Sequence, residues 1–152
     1  MNENNKIASF TINHETLERG IYVSRRDGDI TTFDLRMRRP YAEPVLTGVE
    51  MHSLEHLLAS ELRNGPYGQN VIYVGPMGCA TGFYVLFRNM ADDAAVWDII
   101  RAFRKIIQAV VVPGNSRAEC GNNRTLDLSV GKSVAAEYLG VIISKGEPDV
   151  YD

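Results

Sequence analysis

Two segments near the start of the chain alternate between apolar and polar residues, and such alternation is typical of strands with one buried face. They are "GIYVSRR" at 20–26 and "ITTFDLRMR" at 30–38, and "DGD" at 27–29 supplies a turn between them. This pattern predicts a β-hairpin. Two further strands are predicted at 70–75 and 81–88, on either side of the glycine-bearing segment "PMGC".

Between the two strand pairs, the apolar residues change from alternation to helical spacing. Thr47 and Glu50 match a capping box, in which each side chain caps the other residue's backbone N–H at the start of a helix. Asn64 followed by Gly65 is typical of a helix end. The sequence therefore predicts a helix over 48–63.

Two more helices are predicted downstream. Apolar residues recur at three- and four-residue intervals from Val96 to Val110, while arginine and lysine lie off that stripe. This spacing predicts a helix over 92–111 that covers a sheet, and a shorter helix is predicted over 128–143. Strands near the front and middle of the chain with interspersed helices indicate the α+β class, with a mainly antiparallel sheet covered by helices.

Composition narrows the possible partners. A chain of 152 residues with 45% hydrophobic and 23% charged residues fits one globular domain, 1–152, with flexible tails at about 1–5 and 145–152. The formal net charge of -3 gives no broad basic face, so we expect no nucleic-acid partner.

The sequence has no signal-peptide pattern and no apolar run of membrane-spanning length, so we expect no membrane partner and a cytoplasmic location. In that reducing compartment, both cysteines are expected to be thiols.

The segment "MHSLEHLLAS" at 51–60 places two histidines and a glutamate on the first predicted helix. His52 and His56 are four residues apart and share one face, so both imidazoles can reach one ion, and Glu55 lies beside them. The same H-x-x-E-H order occurs in inverted zinc peptidases. The simpler alternative is an amphipathic helix whose polar residues face water.

Two imidazoles leave a catalytic metal ion short of a ligand, because such sites usually take three from the protein. The candidates by residue type are His14, Cys79, Glu119 and Cys120. A thiolate is a strong ligand for zinc or ferrous iron, whereas Glu119 would complete a site of the peptidase kind. Sequence spacing leaves these candidates open.

Five separated blocks, in order, carry a resemblance to one family. They are "ASFTINH" (8–14), "FDLRMRRP" (33–40), "MHSLEHLLA" (51–59), "GPMGCATGFY" (75–84) and "ECGN" (119–122). Together they resemble the S-ribosylhomocysteine lyase (LuxS) family over nearly the whole chain.

The resemblance implies a metal site and its cofactor. In the family, the two motif histidines and the cysteine of the E-C-G block bind one divalent ion per subunit, and these match His52, His56 and Cys120. The ion is expected to be Fe²⁺, with Zn²⁺ or Co²⁺ able to substitute.

The resemblance also implies the residues that act on the substrate. Glu55 and Cys79 match the family's general acid/base pair, and Ser9, His14 and Arg36 match residues that line its substrate pocket. The family is a homodimer with active sites at the subunit interface. Its reaction cleaves S-ribosylhomocysteine to L-homocysteine and 4,5-dihydroxy-2,3-pentanedione, the precursor of autoinducer-2.

Two positions depart from the family pattern. Ala80 stands where Gln or Arg is usual, and Asn123 stands where an aromatic residue is usual; neither change removes a ligand or a proton carrier. Two other functions stay open from the sequence: an inverted zinc peptidase that uses Glu119, and a catalytically impaired metal-binding or sensory homologue. Arg36 also has a simpler interpretation, as part of a solvated charged strand edge.

Overall fold

The strands form one sheet. The computed structural model describes residue 7, residues 10–145 and residues 149–150. The strands within these residues are β1 Gly20–Asp27, β2 Ile30–Arg36, β3 Val71–Pro76, β4 Gly82–Arg88 and β5 Asp149–Val150. Their order in the sheet is β3-β4-β2-β1-β5. The first four strands pair antiparallel with their neighbours, and β5 pairs parallel to β1.

Three helices pack against one face of this sheet, and they are α1 Gly48–Arg63, α2 Asp92–Ile106 and α3 Leu128–Lys145. The α+β prediction with a mainly antiparallel sheet is thus confirmed. Both ends of α1 are as predicted, because Thr47 and Glu50 form a complete capping box and Asn64 is the C-cap. Among the described residues, no helix is long and apolar enough to cross a membrane.

The predicted end of the second helix is wrong. We expected a helix to residue 111, but α2 ends at Ile106, where the next N–H groups bond to carbonyls three and four residues back and tighten the chain into a turn. Val110, counted in the apolar stripe, lies beyond this turn and is 88% exposed. Within the helix, Val96, Ile99, Phe103 and Ile106 of the stripe are buried, and Ile100 is partly buried.

Part of the predicted flexible tail over 145–152 lies in regular elements, and its flexibility stays a prediction. Lys145 is the last residue of α3, and Asp149–Val150 form the short β5 strand. The backbone of this strand pairs with Tyr22 and Val23 of β1. The predicted tail over 1–5 lies outside the described residues.

Strand β2 carries different chemistry on its two faces. Phe33 and Leu35 join the core that the helices cover, and they are fully buried. Asp34 and Arg36 alternate with them and therefore lie on the opposite face of the strand. Both charged residues are nevertheless buried, with Arg36 only 2% exposed. The interpretation of Arg36 as part of a solvated charged edge is therefore wrong.

Candidate active site

Helix α1 brings the two motif histidines together. His52 and His56 lie one turn apart on the same half-buried face, and their ring centroids are 4.8 Å apart in an edge-on arrangement. The buried neighbours Leu54, Leu57 and Leu58 fix the rotation of the helix, so the imidazoles cannot turn freely into water.

The chain holds His56 in a single ring orientation. Its Nδ1 atom lies 2.8 Å from the carbonyl oxygen of Pro113. Because a carbonyl only accepts, Nδ1 must carry the proton, and Nε2 keeps a free lone pair for a metal ion. Gly114 lies directly beside this ring with φ at +67°, a conformation that favours glycine.

His52 is held by a hydroxyl rather than by a carbonyl. Its Nδ1 atom lies 2.7 Å from Oγ1 of Thr125, and that hydroxyl donates to the carbonyl oxygen of Asn122 at 3.3 Å. Since the hydroxyl proton is used there, Nδ1–H of His52 is the donor of the shorter bond. Nε2 of His52 is therefore also free to bind a metal ion.

Cys120 completes this group, which we call the metal centre: His52, His56 and Cys120. Its Sγ atom lies 3.4 Å from Nε2 of His52, and ligand atoms of all three residues lie within 4.8 Å of one another. Two neutral imidazoles and one thiolate fit zinc or ferrous iron, and three protein ligands leave a position for substrate. The residues present therefore fit a catalytic divalent ion.

Of the two glutamates considered, Glu55 lines a cleft with a residue of the metal centre. Glu55 and His56 line a cleft of about 320 Å³, the Glu55 cleft, together with Ala59, Ser60, Val74, Pro113 and Gly114. Glu119 is exposed, and its carboxylate accepts a 2.6 Å hydrogen bond from Ser116. Glu119 is absent from the metal-binding group found among the described residues, so the ligand set of the peptidase alternative is not formed.

Cys79 lies in a different cleft, at the turn between β3 and β4. This Cys79 cleft measures about 240 Å³, and its lining residues are His14, Pro40, Tyr41, Glu43, Val45, Cys79 and Thr81. The turn is tight, with φ of Ala80 at +62°. The side chain of Cys79 is exposed as a free thiol.

A buried network runs from the sheet to the Cys79 thiol. Arg36 forms an ion pair with Asp34, and its Nη1 atom donates to Oγ1 of Thr81 at 2.7 Å. The same Oγ1 lies 3.0 Å from Sγ of Cys79. Burial raises the pKa of the Asp34 carboxyl to about 6, although the Arg36 charge opposes that change. Asp34 is therefore mainly ionised at neutral pH and balances the buried guanidinium.

The structure brings the predicted site residues together in two groups. The metal centre and Glu55 form one group, while His14, Cys79 and Arg36 form the other. The two clefts share no lining residue. Ser9 lies outside the described residues.

Sequence reasoning missed several supporting residues. Pro113 and Thr125 orient the two imidazoles, but nothing in their local sequence marks them as partners of helix residues that lie 57 and 73 positions earlier. Thr81 contacts Cys79 directly, and Asp34 pairs with Arg36, which donates to Thr81. For Asp34 a signal existed, because residues two apart on a strand share one face and opposite charges there can pair.

Comparisons with known proteins give one consistent result. The model of the family "S-Ribosylhomocysteinase (LuxS)" matches residues 7–148. The S-ribosylhomocysteine lyase of Desulfotalea psychrophila is 43% identical over 148 residues, which cover 91% of each chain. That of Clostridium acetobutylicum is 46% identical over 130 residues, covering 81% of this chain and 82% of the relative. That of Finegoldia magna is 44% identical over 144 residues, covering 91% and 92%.

Proposed function

The chain belongs to the S-ribosylhomocysteinase (LuxS) family, and we propose that its metal centre, Glu55 and Cys79 together carry out the family's carbon–sulfur bond cleavage. It is an S-ribosylhomocysteine lyase, as its relatives are named. The observation that carries this conclusion is the convergence of His52, His56 and Cys120 in a chain matched by the family over nearly its full length. Nothing in the described residues favours the peptidase or sensory alternatives.

The substrate dictates what the protein must do. S-ribosylhomocysteine is an aldose whose fifth carbon carries a thioether, and β-elimination of that thioether requires a carbonyl at the third carbon. The carbonyl therefore moves from C1 to C2 and then to C3. Elimination across C4 and C5 then releases L-homocysteine and 4,5-dihydroxy-2,3-pentanedione.

The metal centre is suited to the charge that develops in these steps. A bound divalent ion supplies Lewis-acid polarisation of the sugar's carbonyl and hydroxyl oxygens. We propose Fe²⁺ as the native ion, with Zn²⁺ or Co²⁺ able to replace it, because a thiolate and two imidazoles suit all three. His52 and His56 hold their Nε2 atoms in place through their bonds to Thr125 and Pro113.

Glu55 and Cys79 move the protons. The first migration removes the C2 proton and returns one to C1, the second removes the C3 proton and returns one to C2, and the elimination removes the C4 proton as the C5–S bond breaks. A carboxylate and a thiolate on different sides of the sugar can share these transfers. We propose that His14 and Arg36, with Ser9, orient the substrate around Cys79.

We propose that each active site combines the metal centre of one subunit with the Cys79 cleft of another copy. The support is geometric, because the Glu55 cleft and the Cys79 cleft share no lining residue within one chain, although the reaction needs both groups on one sugar. A homodimer resolves this separation. We also propose a cytoplasmic location, since Cys79 and Cys120 are both needed as thiols.

A direct assay tests this function. The protein is loaded with iron without oxygen and mixed with S-ribosylhomocysteine, and the released thiol is titrated beside Cys79→Ala and Glu55→Gln. Glu61→Gln is the matched control, because Glu61 lies on the same helix but outside both clefts. We expect homocysteine release from the wild type and the control, and a loss of about 10²–10⁴-fold in either test variant. No release from folded, metal-loaded wild type would contradict the function.

A further inference from the structure

We propose that the Thr81 hydroxyl is a positioning group that can bond to Cys79 in both of its protonation states and that stabilises the thiolate more than the thiol. This inference rests on the proposed function, which requires Cys79 to take up and return protons. It concerns a residue beside the acid/base pair rather than the pair itself.

The distances show that Thr81 makes a closer contact with the thiol than Arg36 does. Oγ1 of Thr81 is 3.0 Å from Sγ of Cys79, whereas Nη1 of Arg36 is 4.0 Å from the same sulfur. The Arg36 group makes its short contact, 2.7 Å, to the Thr81 oxygen. Arg36 therefore acts on Cys79 in two ways, directly across 4.0 Å and by its bond to the Thr81 hydroxyl.

The hydrogen-bonding capacity of a hydroxyl explains why this arrangement serves both states. A guanidinium only donates, so Arg36 occupies one lone pair of Oγ1 and leaves the hydroxyl proton and the second lone pair free. When Cys79 is a thiolate, the Thr81 proton donates to it. When Cys79 is a thiol, its S–H can donate to the remaining lone pair. Neither change requires a heavy atom to move.

The residues around Thr81 also hold its hydroxyl in place. Thr81 is buried, and its carbonyl oxygen accepts from the N–H groups of Met37 and Arg38 at 2.9 and 3.0 Å. Asp34 pairs with Arg36 on the other side, and both are buried. A hydroxyl fixed in this way loses little conformational freedom when it bonds to the sulfur.

Other titratable groups lie near enough to affect Cys79. His14 and Glu43 line the same cleft. Burial raises the pKa of Tyr84 on β4, and the charges of Asp34 and Cys79 raise it further. These groups remain in place when Thr81 is changed. Their effects therefore cancel when variants at position 81 are compared with one another.

The test measures Cys79 directly, without the lyase reaction. Iodoacetamide alkylation of Cys79 in the metal-loaded protein is followed against pH by mass spectrometry of its peptide, which separates it from Cys120. Thr81→Val removes the hydroxyl with little change of shape, and Thr81→Ser keeps it. Thr31→Val is the matched control, a buried strand threonine bonded to Arg26 instead.

We expect Thr81→Val to move the midpoint of the alkylation profile upward by about one pH unit, so that about tenfold less thiolate is present below it. Thr81→Ser and Thr31→Val should stay within about 0.3 pH units of the wild type. Thr81→Ala provides the same test if the valine variant does not fold. An unchanged midpoint in a folded Thr81→Val or Thr81→Ala protein would overturn the inference, even if wild type releases homocysteine. If wild type releases none, the proposed function fails and the alkylation result still stands.

Discussion

The metal centre and the Cys79 cleft are built in opposite ways. In the metal centre, His52 and His56 come from one helix and bond to chain oxygens through Nδ1, so Nε2 of each ring and the Cys120 sulfur can bind a cation from outside. In the Cys79 cleft, the cation is part of the chain, because Arg36 is buried on β2 and paired with Asp34. The metal centre gains positive charge when an ion binds, whereas the Cys79 cleft gains it from Arg36 when the chain folds.

Because of this difference, the two sites depend on different parts of the protein. The metal centre needs a bound ion and the loop that carries Cys120. Activity should therefore fall when the metal is removed. The Cys79 cleft depends on the pairing of β2 with β4, which sets Arg36 opposite Gly82 and next to Thr81. We therefore expect changes in one site to leave the defining property of the other intact.

The largest expected effect comes from exchanging the two cysteines for alanine. Cys120→Ala removes a ligand, so we expect both bound metal and activity to be lost. Cys79→Ala should keep a full complement of metal and lose about 10²–10⁴-fold in turnover. Elemental analysis of the purified variants and homocysteine release check both. Retention of metal by Cys120→Ala would contradict the ligand assignment and favour Glu119.

A second test uses the pH dependence of stability. Burial raises the pKa of Asp34 from 3.8 to about 6, so between these values the folded chain holds a proton that the unfolded chain has released. Stability therefore falls as pH rises through this interval, and Asp34→Asn removes that dependence. We expect wild type to lose about 2 kcal/mol relative to the variant between pH 4 and pH 6.

Urea unfolding at several pH values measures this difference, and metal content at neutral pH should be equal in the two proteins. A wild type that becomes more stable relative to Asp34→Asn as pH rises would contradict the effect of burial on this carboxyl.

A smaller effect is expected from the residue that orients His52. Thr125→Val removes the acceptor for Nδ1–H with little change of shape, and loss of such a supporting bond typically costs about 10–100-fold in metal affinity. Ser133→Ala, at an exposed position on α3, is the control. Competition with a chelator measures the affinity. The alkylation profile of Cys79 should not change, and a shift there would show that the two sites are coupled.

The smallest effect is expected at Ala80. Its φ of +62° is unfavourable for a residue with a Cβ, while glycine gains more freedom in the unfolded chain. The relief of backbone strain is largely offset by the greater freedom of glycine in the unfolded chain. We therefore expect Ala80→Gly to stabilise the protein by at most about 1 kcal/mol. Thermal unfolding checks this, and metal content should stay at the wild-type level. A clear destabilisation would show that the alanine methyl group makes a contact that outweighs its backbone strain.

Local patterns predicted the elements that carry the metal centre. The capping box at Thr47 and the stop at Asn64 fixed both ends of α1, because these signals act within a few residues. The spacing of His52 and His56 then placed both rings on one face. The end of α2 was harder, because the apolar residues continue to Val110 after the hydrogen-bonding pattern has already changed.

Features that depend on distant pairing could not be predicted from the pattern. The burial of Arg36 depends on the strand pairing that sets it beside Thr81, forty-five residues later. The pairing of Asp149–Val150 with β1 likewise joins the two ends of the chain. The separation of Glu55 from Cys79 into two clefts became visible only when helix and sheet were placed together.

The most direct test mixes two inactive variants. Glu55→Gln and Cys79→Ala proteins are dissociated together, reassembled with iron in equal amounts, and assayed for homocysteine release. If each active site joins Glu55 of one subunit to Cys79 of the other, half of the subunit pairs are mixed, and each mixed pair has one intact site. We then expect about a quarter of wild-type activity, since each variant alone remains inactive. No recovery in mixed dimers verified by mass would contradict the shared site.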